Sequence, residues 1–278
     1  MVRAIAAVLL AIVSLAGGCQ GGDAWGMMDS IHRSMARREV AKGCELSARS
    51  DEAGAAAAFE EALSLDPHNA TAHANLGRIA AAAGRDEAAV RHYQAAVKNA
   101  PDSGEYAFAL AGCLDKLSET AIDRRQTLDA AVRAYRYVCW LEPHNLEAAI
   151  RLGACCRRQG DLEGAIAALR EAEAIDSASA RVHNELASTY QELGDHDRAL
   201  SEYAQALKIE PDSLIAHNGS GEINLALSRR SQSEYPLARQ RAIAHLRRSL
   251  EIESRQPKIR ALLVELEPSP GEMADAGE

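Results

Sequence analysis

The sequence predicts an all-α fold in which short helical hairpins stack one after another. Residues that end a helix recur at a nearly fixed interval: three of the five intervals are 34 residues, and the others are 42 and 43. These residues are Pro67, Pro101, Pro143, Ser177, Pro211 and Ser254. Aromatic residues make up only 4% of the chain, and no long segment alternates apolar and polar residues as a half-buried strand would. Such a period is typical of solenoids, which expose a long concave surface.

Residues 70–103 show what each position of a repeat does. Their characteristic positions are Leu76, Gly77, Ala89, Tyr93, Ala96 and Pro101. Leu76 and Gly77 belong to a first helix, and the next three to a second helix whose face they share. The small residues let two helix backbones approach closely, while Leu76 and Tyr93 fill the space around them. Pro101 cannot continue a helix and marks the turn into the next repeat.

This spacing resembles the tetratricopeptide repeat. The pattern recurs at Gly43, Leu46, Ala55, Phe59, Ala62 and Pro67, at Leu152, Gly153, Ala165, Leu169, Ala172 and Ser177, at Leu186, Ala187, Tyr190, Ala199, Tyr203, Ala206 and Pro211, and in two stretched copies that start at Gly104 and Leu214. The resemblance implies a right-handed α-solenoid of about six hairpins over residues 36–69, 70–103, 104–145, 146–179, 180–213 and 214–256. The family's early Trp is replaced in every copy, by Glu39, His73, Ala107, Ala149, His183 and His217.

The two longer intervals predict insertions between the helices of two hairpins. Residues 115–127 are compatible with helix, so each helix of that hairpin is expected to extend by about one turn. Residues 228–238 are polar and end in Tyr-Pro, which favours a protruding loop.

The first 19 residues have the pattern of an export signal. Arg3 precedes an apolar run over residues 4–16, which is too short to span a bilayer and suits a signal peptide over residues 1–18. Small residues before Cys19 resemble the bacterial lipoprotein processing site, at which the Cys is lipidated. Ordinary cleavage that leaves a free Cys19 is the alternative. The resemblance implies the periplasmic face of a bacterial membrane, and Gln20 after the Cys favours the outer membrane.

Segments at both ends flank the repeats. Residues 19–35 would join the lipidated Cys to the repeats, with a flexible tether over residues 20–26. Residues 25–35 have helical spacing and either cover the first repeat or form a partly ordered linker. Residues 257–267 predict a helix that caps the last repeat, and residues 268–278 a disordered tail.

Several kinds of chemistry have no residue pattern here. The chain lacks a phosphate-binding loop, a nucleophile elbow and a His-Glu-x-x-His motif, so neither catalysis nor a cofactor is predicted. His73, His183 and His217 occupy equivalent repeat positions, which lie at least about 8–10 Å apart. That distance is too long for them to share a metal ion, so no metal site is expected. We expect these histidines to pack against neighbouring side chains instead. The net charge is −9 without a basic cluster, which disfavours nucleic-acid binding.

The cysteines beyond Cys19 allow two interpretations. Cys113, Cys139, Cys155 and Cys156 are expected as small core residues. A disulfide between Cys113 and Cys139, which share one stretched repeat, is the alternative.

In the family that the chain resembles, first helices line the concave groove. The equivalent positions here are Val40, Arg78, Phe108, Ile150, Arg157, Arg158, Arg181, Asn184, Asn218 and Glu222. Phe108 and Ile150 would give an apolar middle, followed by three arginines. We expect a peptide with an apolar anchor beside an acidic residue to bind there.

The predicted function is a non-catalytic scaffold that binds a peptide or protein partner in this groove and is held at the membrane by its lipid. The alternative is a structural protein of the cell envelope that self-associates, through an exposed end of the solenoid or through residues 25–35. An enzyme is the third class, and no set of residues supports it.

Overall fold

The computed structural model describes residues 21–230 and 237–266, and within them the secondary structure is helical, without a strand. Thirteen helices are described: α1 (Gly21–Ala48), α2 (Glu52–Leu65), α3 (Ala70–Ala82), α4 (Asp86–Asn99), α5 (Gly104–Thr120), α6 (Arg124–Leu141), α7 (Leu146–Gln159), α8 (Leu162–Ile175), α9 (Ala180–Leu193), α10 (His196–Ile209), α11 (Leu214–Arg230), α12 (Ala238–Ile252) and α13 (Pro257–Leu266). Among these residues, no helix is both long and apolar enough to cross a membrane. The all-α fold class is therefore confirmed.

The chain divides into two compact units, residues 1–127 and 128–278. In the first unit, α1 packs on α2, α2 on α3, α3 on α4 and α4 on α5. In the second unit, α7, α9 and α11 each pair with the following helix, and α13 packs on α12. The first helices of its hairpins also touch one another, α7 on α9 and α9 on α11. Within each unit, these helices therefore pack on their neighbours in sequence, as in a solenoid.

Polar caps fix the starts of the helices. Asn69, Ser103, Asn145 and Ser179 precede first helices, and each side chain accepts a hydrogen bond from a backbone N–H of the first turn. Asp51, Asp161 and Asp195 do the same for second helices. These bonds satisfy amides that have no partner inside the helix. The turn between two helices of one hairpin holds Gly84, Gly160 or Gly194, each with a positive φ that glycine adopts at little cost.

Within a hairpin, a small residue of the first helix faces a large residue sixteen positions later in the second. A Cβ atom added to Gly43 would lie 2.6 Å from the Phe59 ring, and one added to Gly153 would lie 2.6 Å from Leu169 Cγ. At Gly77 the equivalent distance to the Tyr93 ring is 2.9 Å. The helices thus approach so closely that there is no room for a side chain at these glycines.

The core of the second unit is a continuous buried cluster that runs from α7 to α12. Tyr190 and Tyr203 lie in it with only 3% and 2% of their surface exposed. Leu169 and Leu186 in the same cluster are fully buried. In the first unit Phe59 is fully buried and Tyr93 is 8% exposed. The large residues of the repeat pattern therefore form the core.

The expected flexible tether over residues 20–26 is wrong from Gly21 onward, because α1 runs without a break from Gly21 to Ala48. No proline interrupts this segment, and Gly21 and Gly22 fall in the first turn, whose amides lack intrahelical partners in any case. Residues 25–35 belong to the same helix as the start of the first repeat. The signal peptide, Cys19 and the tail over residues 268–278 lie outside the described residues.

The insertions lengthen helices. α5 and α6 have 17 and 18 residues, against 14 in α7 and α8, which is the extension by one turn that the sequence predicts. The loop expected over residues 228–238 is shorter at its start, because α11 continues to Arg230. Residues 231–236 lie outside the described part.

The four cysteines for which the sequence left two interpretations are all free thiols. Cys155 and Cys156 are buried and Cys113 and Cys139 are half-buried, each as a free thiol. The alternative of a disulfide between Cys113 and Cys139 is therefore wrong for this structure, and small packed residues describe them better.

Candidate functional site

The expected groove residues fall in both compact units. In the first unit, Val40 is half-buried against the core around Phe59. Arg78 is exposed, donates to Ser47 Oγ at 2.6 Å and lies 3.5 Å from the Glu52 carboxylate. Phe108 is half-buried on α5. These three residues are spread over three helices, α1, α3 and α5.

The remaining expected residues lie on the first helices of the second unit. They are Ile150, Arg157 and Arg158 on α7, Arg181 and Asn184 on α9, and Asn218 and Glu222 on α11. Because α7 touches α9 and α9 touches α11, these positions belong to one run of adjacent helices.

Ile150 does not belong to this surface. Only 2% of it is exposed, and it lies in the same buried cluster as Val182 and Leu186 of α9. The expected apolar anchor at Ile150 is therefore wrong. An apolar side chain at the contact between two first helices is removed from water by the neighbouring helix, which stabilises the fold.

A carboxylate joins α7 to α9 at one end of the surface. Glu147 accepts hydrogen bonds from Arg181, with Oε2–Nη1 at 2.5 Å and Oε1–Nη2 at 3.3 Å, and from Arg151 Nε at 2.7 Å. Burial alone would raise the pKa of Glu147, but the bonds and charges of Arg181 and Arg151 lower it below its ordinary value. Glu147 therefore stays ionised, and a partner's carboxylate would have to compete with it for Arg181.

Arg157 links the same two helices further along. Its Nη1 donates to Glu192 at 2.6 Å and its Nη2 to Glu185 at 3.1 Å. Burial disfavours its charge, yet the bonds to Glu192 and the charge of Glu185 raise the pKa of Arg157. Its Nε is buried and has no hydrogen-bond acceptor.

Two asparagines one period apart occupy α9 and α11. Asn184 is 5% exposed and donates from Nδ2 to Ser213 Oγ at 3.0 Å, while its Oδ1 has no hydrogen-bond donor. Asn218 donates to Gln256 Oε1 at 2.9 Å and accepts a bond from Ser249 Oγ. Both amides are thus held in place by side chains from the helix or turn that follows.

An ion pair extends the same pattern to the C-terminal helix. Glu222 on α11 lies 2.6 Å from Lys258 Nζ on α13. We call the whole set the polar ladder, and it consists of Glu147, Arg157, Arg181, Asn184, Glu185, Glu192, Asn218 and Glu222. It joins consecutive first helices through side chains that stand about one repeat apart in sequence.

The glutamates of the ladder escape the sequence analysis. Glu147, Glu185 and Glu192 do not stand at the family's groove positions, and the arginines they bind were expected to be available to a partner. One signal exists in the sequence: Glu147 and Arg181 are 34 residues apart, which is one period. Opposite charges at that spacing fall side by side on neighbouring first helices.

The three equivalent histidines pack as expected, and each contacts the preceding turn and the second helix of its hairpin. The Nε2 atoms of His73, His183 and His217 lie 3.2, 3.3 and 2.9 Å from the carbonyl oxygens of Pro67, Ser177 and Pro211. Their Nδ1 atoms face the second helix, at His92, Glu202 and His245 respectively. Each histidine therefore ties a first helix both to the preceding turn and to its hairpin partner.

One histidine also belongs to a group of possible metal ligands. Ligand atoms of Glu173, His183 and Glu202 lie within 4.8 Å of one another. Arg170 donates to Glu173 at 2.6 Å and to Glu202 at 2.8 Å, so a guanidinium already supplies the positive charge between them. The arrangement has the chemistry of a structural ion-pair network. No sequence pattern indicates this group, because Glu173 and Glu202 lie on α8 and α10, the helices before and after the one that carries His183.

Comparison with known proteins finds one family and one fold. Models of the tetratricopeptide repeat match residues 40–104 and 180–213, and a model of the TPR repeat matches residues 153–194. No curated protein matches the chain.

Solved structures with this fold cover about two thirds of the chain. YrrB, described as a TPR protein with an unusual peptide-binding site, is 22% identical with a TM-score of 0.58, over 64% of this chain and 88% of its own. A MamA protein is 22% identical with a TM-score of 0.56, over 68% and 94%. MamA from Desulfovibrio magneticus RS-1 is 19% identical with a TM-score of 0.56, over 68% and 97%. At these sequence identities the likeness shows the fold alone.

Proposed function

Because this chain is a tetratricopeptide repeat protein, we propose that it is a non-catalytic protein–protein interaction scaffold whose polar ladder binds a peptide or protein partner. One observation carries this proposal most directly. Asn184 Oδ1 and Arg157 Nε, on the adjacent helices α9 and α7, are buried and lack a hydrogen-bond partner. Buried polar atoms rarely go without one. The ladder therefore has hydrogen-bonding capacity that the described part of the chain leaves unused, and a partner would use it only after the side chains covering the two atoms move.

The spacing of the ladder suits an extended chain. Asn184 and Asn218 stand one period apart on helices that touch each other. Packed helices lie about 8–10 Å apart, and an extended chain advances about 3.3 Å per residue. Side chains on successive first helices would therefore meet backbone groups about three residues apart. An asparagine amide can both donate to and accept from such groups, which would here replace the bonds to Ser213, Gln256 and Ser249.

The ladder also changes the partner chemistry that the sequence suggests. With Ile150 buried, the second unit offers no apolar anchor at that position. Arg181 and Arg157 are paired with glutamates, so an acidic partner would exchange one carboxylate for another. Exchange at the exposed Arg181–Glu147 pair costs little, because such pairs are worth about 1 kcal/mol or less. We therefore favour an extended, largely polar segment with acidic side chains as the partner.

A double substitution tests the ladder. In Arg157→Ala/Asn218→Ala, one cation and one amide on α7 and α11 are removed, and crosslinking in the native envelope should no longer capture the partner that the wild type captures. Arg248→Ala is the matched control, because this arginine is exposed and ion-paired with Asp212 and Glu251 on the second helix α12. Equal capture by the double variant, with helicity unchanged, would argue against the ladder.

The proposed location is the periplasmic face of the outer membrane, with Cys19 lipidated as the anchor. The apolar run before the cysteine and the small residues next to it support this proposal. Cys19→Ala should move the protein from the membrane to the soluble fraction. Cys44→Ala, which removes an exposed cysteine on α1, should leave it in the membrane fraction. In that setting the scaffold would serve the assembly of envelope, secretion or cell-wall machinery.

Self-association in an envelope assembly is the second candidate function, and α1 supports it. Met27 and Ile31 on this helix are 65% and 36% exposed, an apolar pair in contact with water. Sedimentation at several concentrations, comparing the wild type with Met27→Ser/Ile31→Ser, separates the candidates. A mass that rises with concentration only in the wild type would favour assembly through α1.

A further inference from the structure

A cleft of about 490 Å³ opens in the second unit, and none of the polar ladder residues lines it. It lies where α6 ends, between the start of α7 and the end of α8. Its walls include Trp140, Cys139, Ala149, Glu171 and Ile175. These residues combine an aromatic ring, small apolar groups and one carboxylate.

Trp140 gives the cleft a flat aromatic wall. It is one of two tryptophans in the chain, and it is 73% exposed. The ring stacks on Tyr137, with centroids 5.8 Å apart and planes 13° from parallel. Tyr137 therefore supports one face of the indole and leaves the other to solvent. Exposing so large an apolar ring in a fixed position is typical of a recognition site.

Glu171 gives the cleft its charge. It supplies the only carboxylate among the described residues that line the cleft, and it is exposed without an ion pair in the described part of the chain. Burial, and then the charge of Glu171, raise the pKa of the Cys139 thiol to about 11. The thiol is therefore neutral near pH 7, so it does not add a second negative charge. Glu142 at the neighbouring turn is occupied, since it accepts a bond from Asn145 at 2.7 Å.

We propose that this cleft binds an arginine side chain, flanked by apolar residues, of a partner protein. A guanidinium stacks on an indole face and pairs with a carboxylate in the same plane, which a lysine ammonium does less well. The three methylenes of arginine would cover Ala149 and Ile175. The chain's net charge of −9 attracts a basic segment. This surface shares only the start of α7 with the ladder, since its other walls come from α6, the turn after it and α8, and it adds a second contact to the proposed scaffold.

Peptide titration of the full chain tests the proposal. The probe is a pool of pentapeptides with a central arginine between alanine, valine, leucine or isoleucine residues. The matched probe carries citrulline, which keeps the shape of arginine without its charge. The indole N–H resonance of Trp140, assigned by its loss in Trp140→Phe, reports binding. We expect the arginine pool to shift it saturably and the citrulline pool to bind at least tenfold more weakly.

Two charge variants complete the test. Glu171→Gln should weaken binding of the arginine pool about tenfold, whereas Glu163→Gln, which removes an exposed carboxylate at the other end of α8, should not change it. No shift at millimolar peptide, equal binding of both pools, or equal binding by Glu171→Gln would overturn the proposal. Self-association that disappears in Trp140→Ala would assign the cleft to a second copy of the chain and would also overturn it.

Discussion

At the scale of single residues, the fold depends on glycines that face large side chains. Gly43, Gly77 and Gly153 each lie against the residue sixteen positions later, at distances that leave no room for a Cβ atom. Large core residues alone are compatible with many arrangements of the helices. The pairing of small with large makes two antiparallel helices lie close along their length, and this defines the hairpin.

The first prediction concerns such a pair. Gly153→Val should lower the free energy of unfolding by about 1–3 kcal/mol, since the new side chain would overlap the fully buried Leu169. Gly26→Val is the control, because nothing lies within 4 Å of a Cβ atom at that helical position. There the better helix propensity of valine should leave stability unchanged or slightly higher. Chemical denaturation measures both, and equal effects would contradict the packing argument.

Residue roles were predictable where they repeat and poorly predictable where they depend on a neighbouring hairpin. Tyr93 and Tyr203 were expected in the core because their positions recur at the period, and they are buried. Ile150 stands at a position that is open in the groove of the family, and the sequence of α7 alone does not tell that α9 covers it. The difference between the two cases is whether the burying partner lies in the same hairpin.

At the scale of helices, histidines that are half-buried or buried couple the two helices of a hairpin. His73 faces His92 and His217 faces His245, with Nδ1 atoms 3.4 and 3.1 Å apart. Two imidazoles this close cannot both carry a charge without repulsion. The hairpins that contain them are therefore sensitive to protonation.

The second prediction follows from the direction of the pKa shifts. Burial, and then the charge of the facing histidine, lower the pKa values of His92 and His245 below 6.5. The folded chain then binds fewer protons than the unfolded chain, so stability falls as the pH drops below about 6.5. Glu147, with its lowered pKa, loses its contribution only at more acidic pH. Between pH 7.5 and 5.5, the wild type should therefore lose more stability than His92→Gln/His245→Gln, and identical losses would contradict this account.

The third prediction concerns the C-terminal helix. α13 buries Ile259 against a cluster that contains Leu225 and Leu246. Ile259→Ala should cost about 2–5 kcal/mol, since it removes a side chain that is 4% exposed. Val264→Ala on the same helix is the control and should change stability by about 0.5 kcal/mol or less, because Val264 is 67% exposed. Thermal unfolding compares them, and a neutral Ile259→Ala would show that the helix does not protect the last hairpin.

Helix positions were more predictable than helix contacts. The proline and glycine positions, with capping residues such as Asn145, mark where helices begin and end, so the hairpins could be placed from sequence. The polar ladder was harder to place, because its ion pairs join residues in different repeats, and only the 34-residue spacing of Glu147 and Arg181 indicates one of them. The flexible tether expected over residues 20–26 was wrong for a different reason: glycines near the start of a helix do not prevent the helix from forming.

At the scale of the whole molecule, repetition extends a surface by one unit at a time. Each hairpin of the second unit adds one first helix and one set of polar side chains to the ladder. A surface built in this way can bind a longer partner by adding contacts of similar strength. The fold itself supplies the surface, and the side chains on it select the partner.

The fourth prediction places the protein in the cell. If Cys19 carries the lipid, the repeats are held near the membrane and meet their partner there. Cys19→Ala should then reduce partner crosslinking in intact cells while purified Cys19→Ala protein still binds the same partner. Undiminished crosslinking in cells would contradict a role for the anchor in bringing the two together.

The measurement that tests the central claim most directly is site-specific photocrosslinking in the native envelope. A photoreactive phenylalanine would replace Arg181 or Glu222 on the first helices, and Arg198 or Arg248 on the second helices α10 and α12. The account predicts that positions 181 and 222 attach to the same protein, and that positions 198 and 248 do not. Attachment of that protein from 198 and 248, with none from 181 and 222, would contradict it.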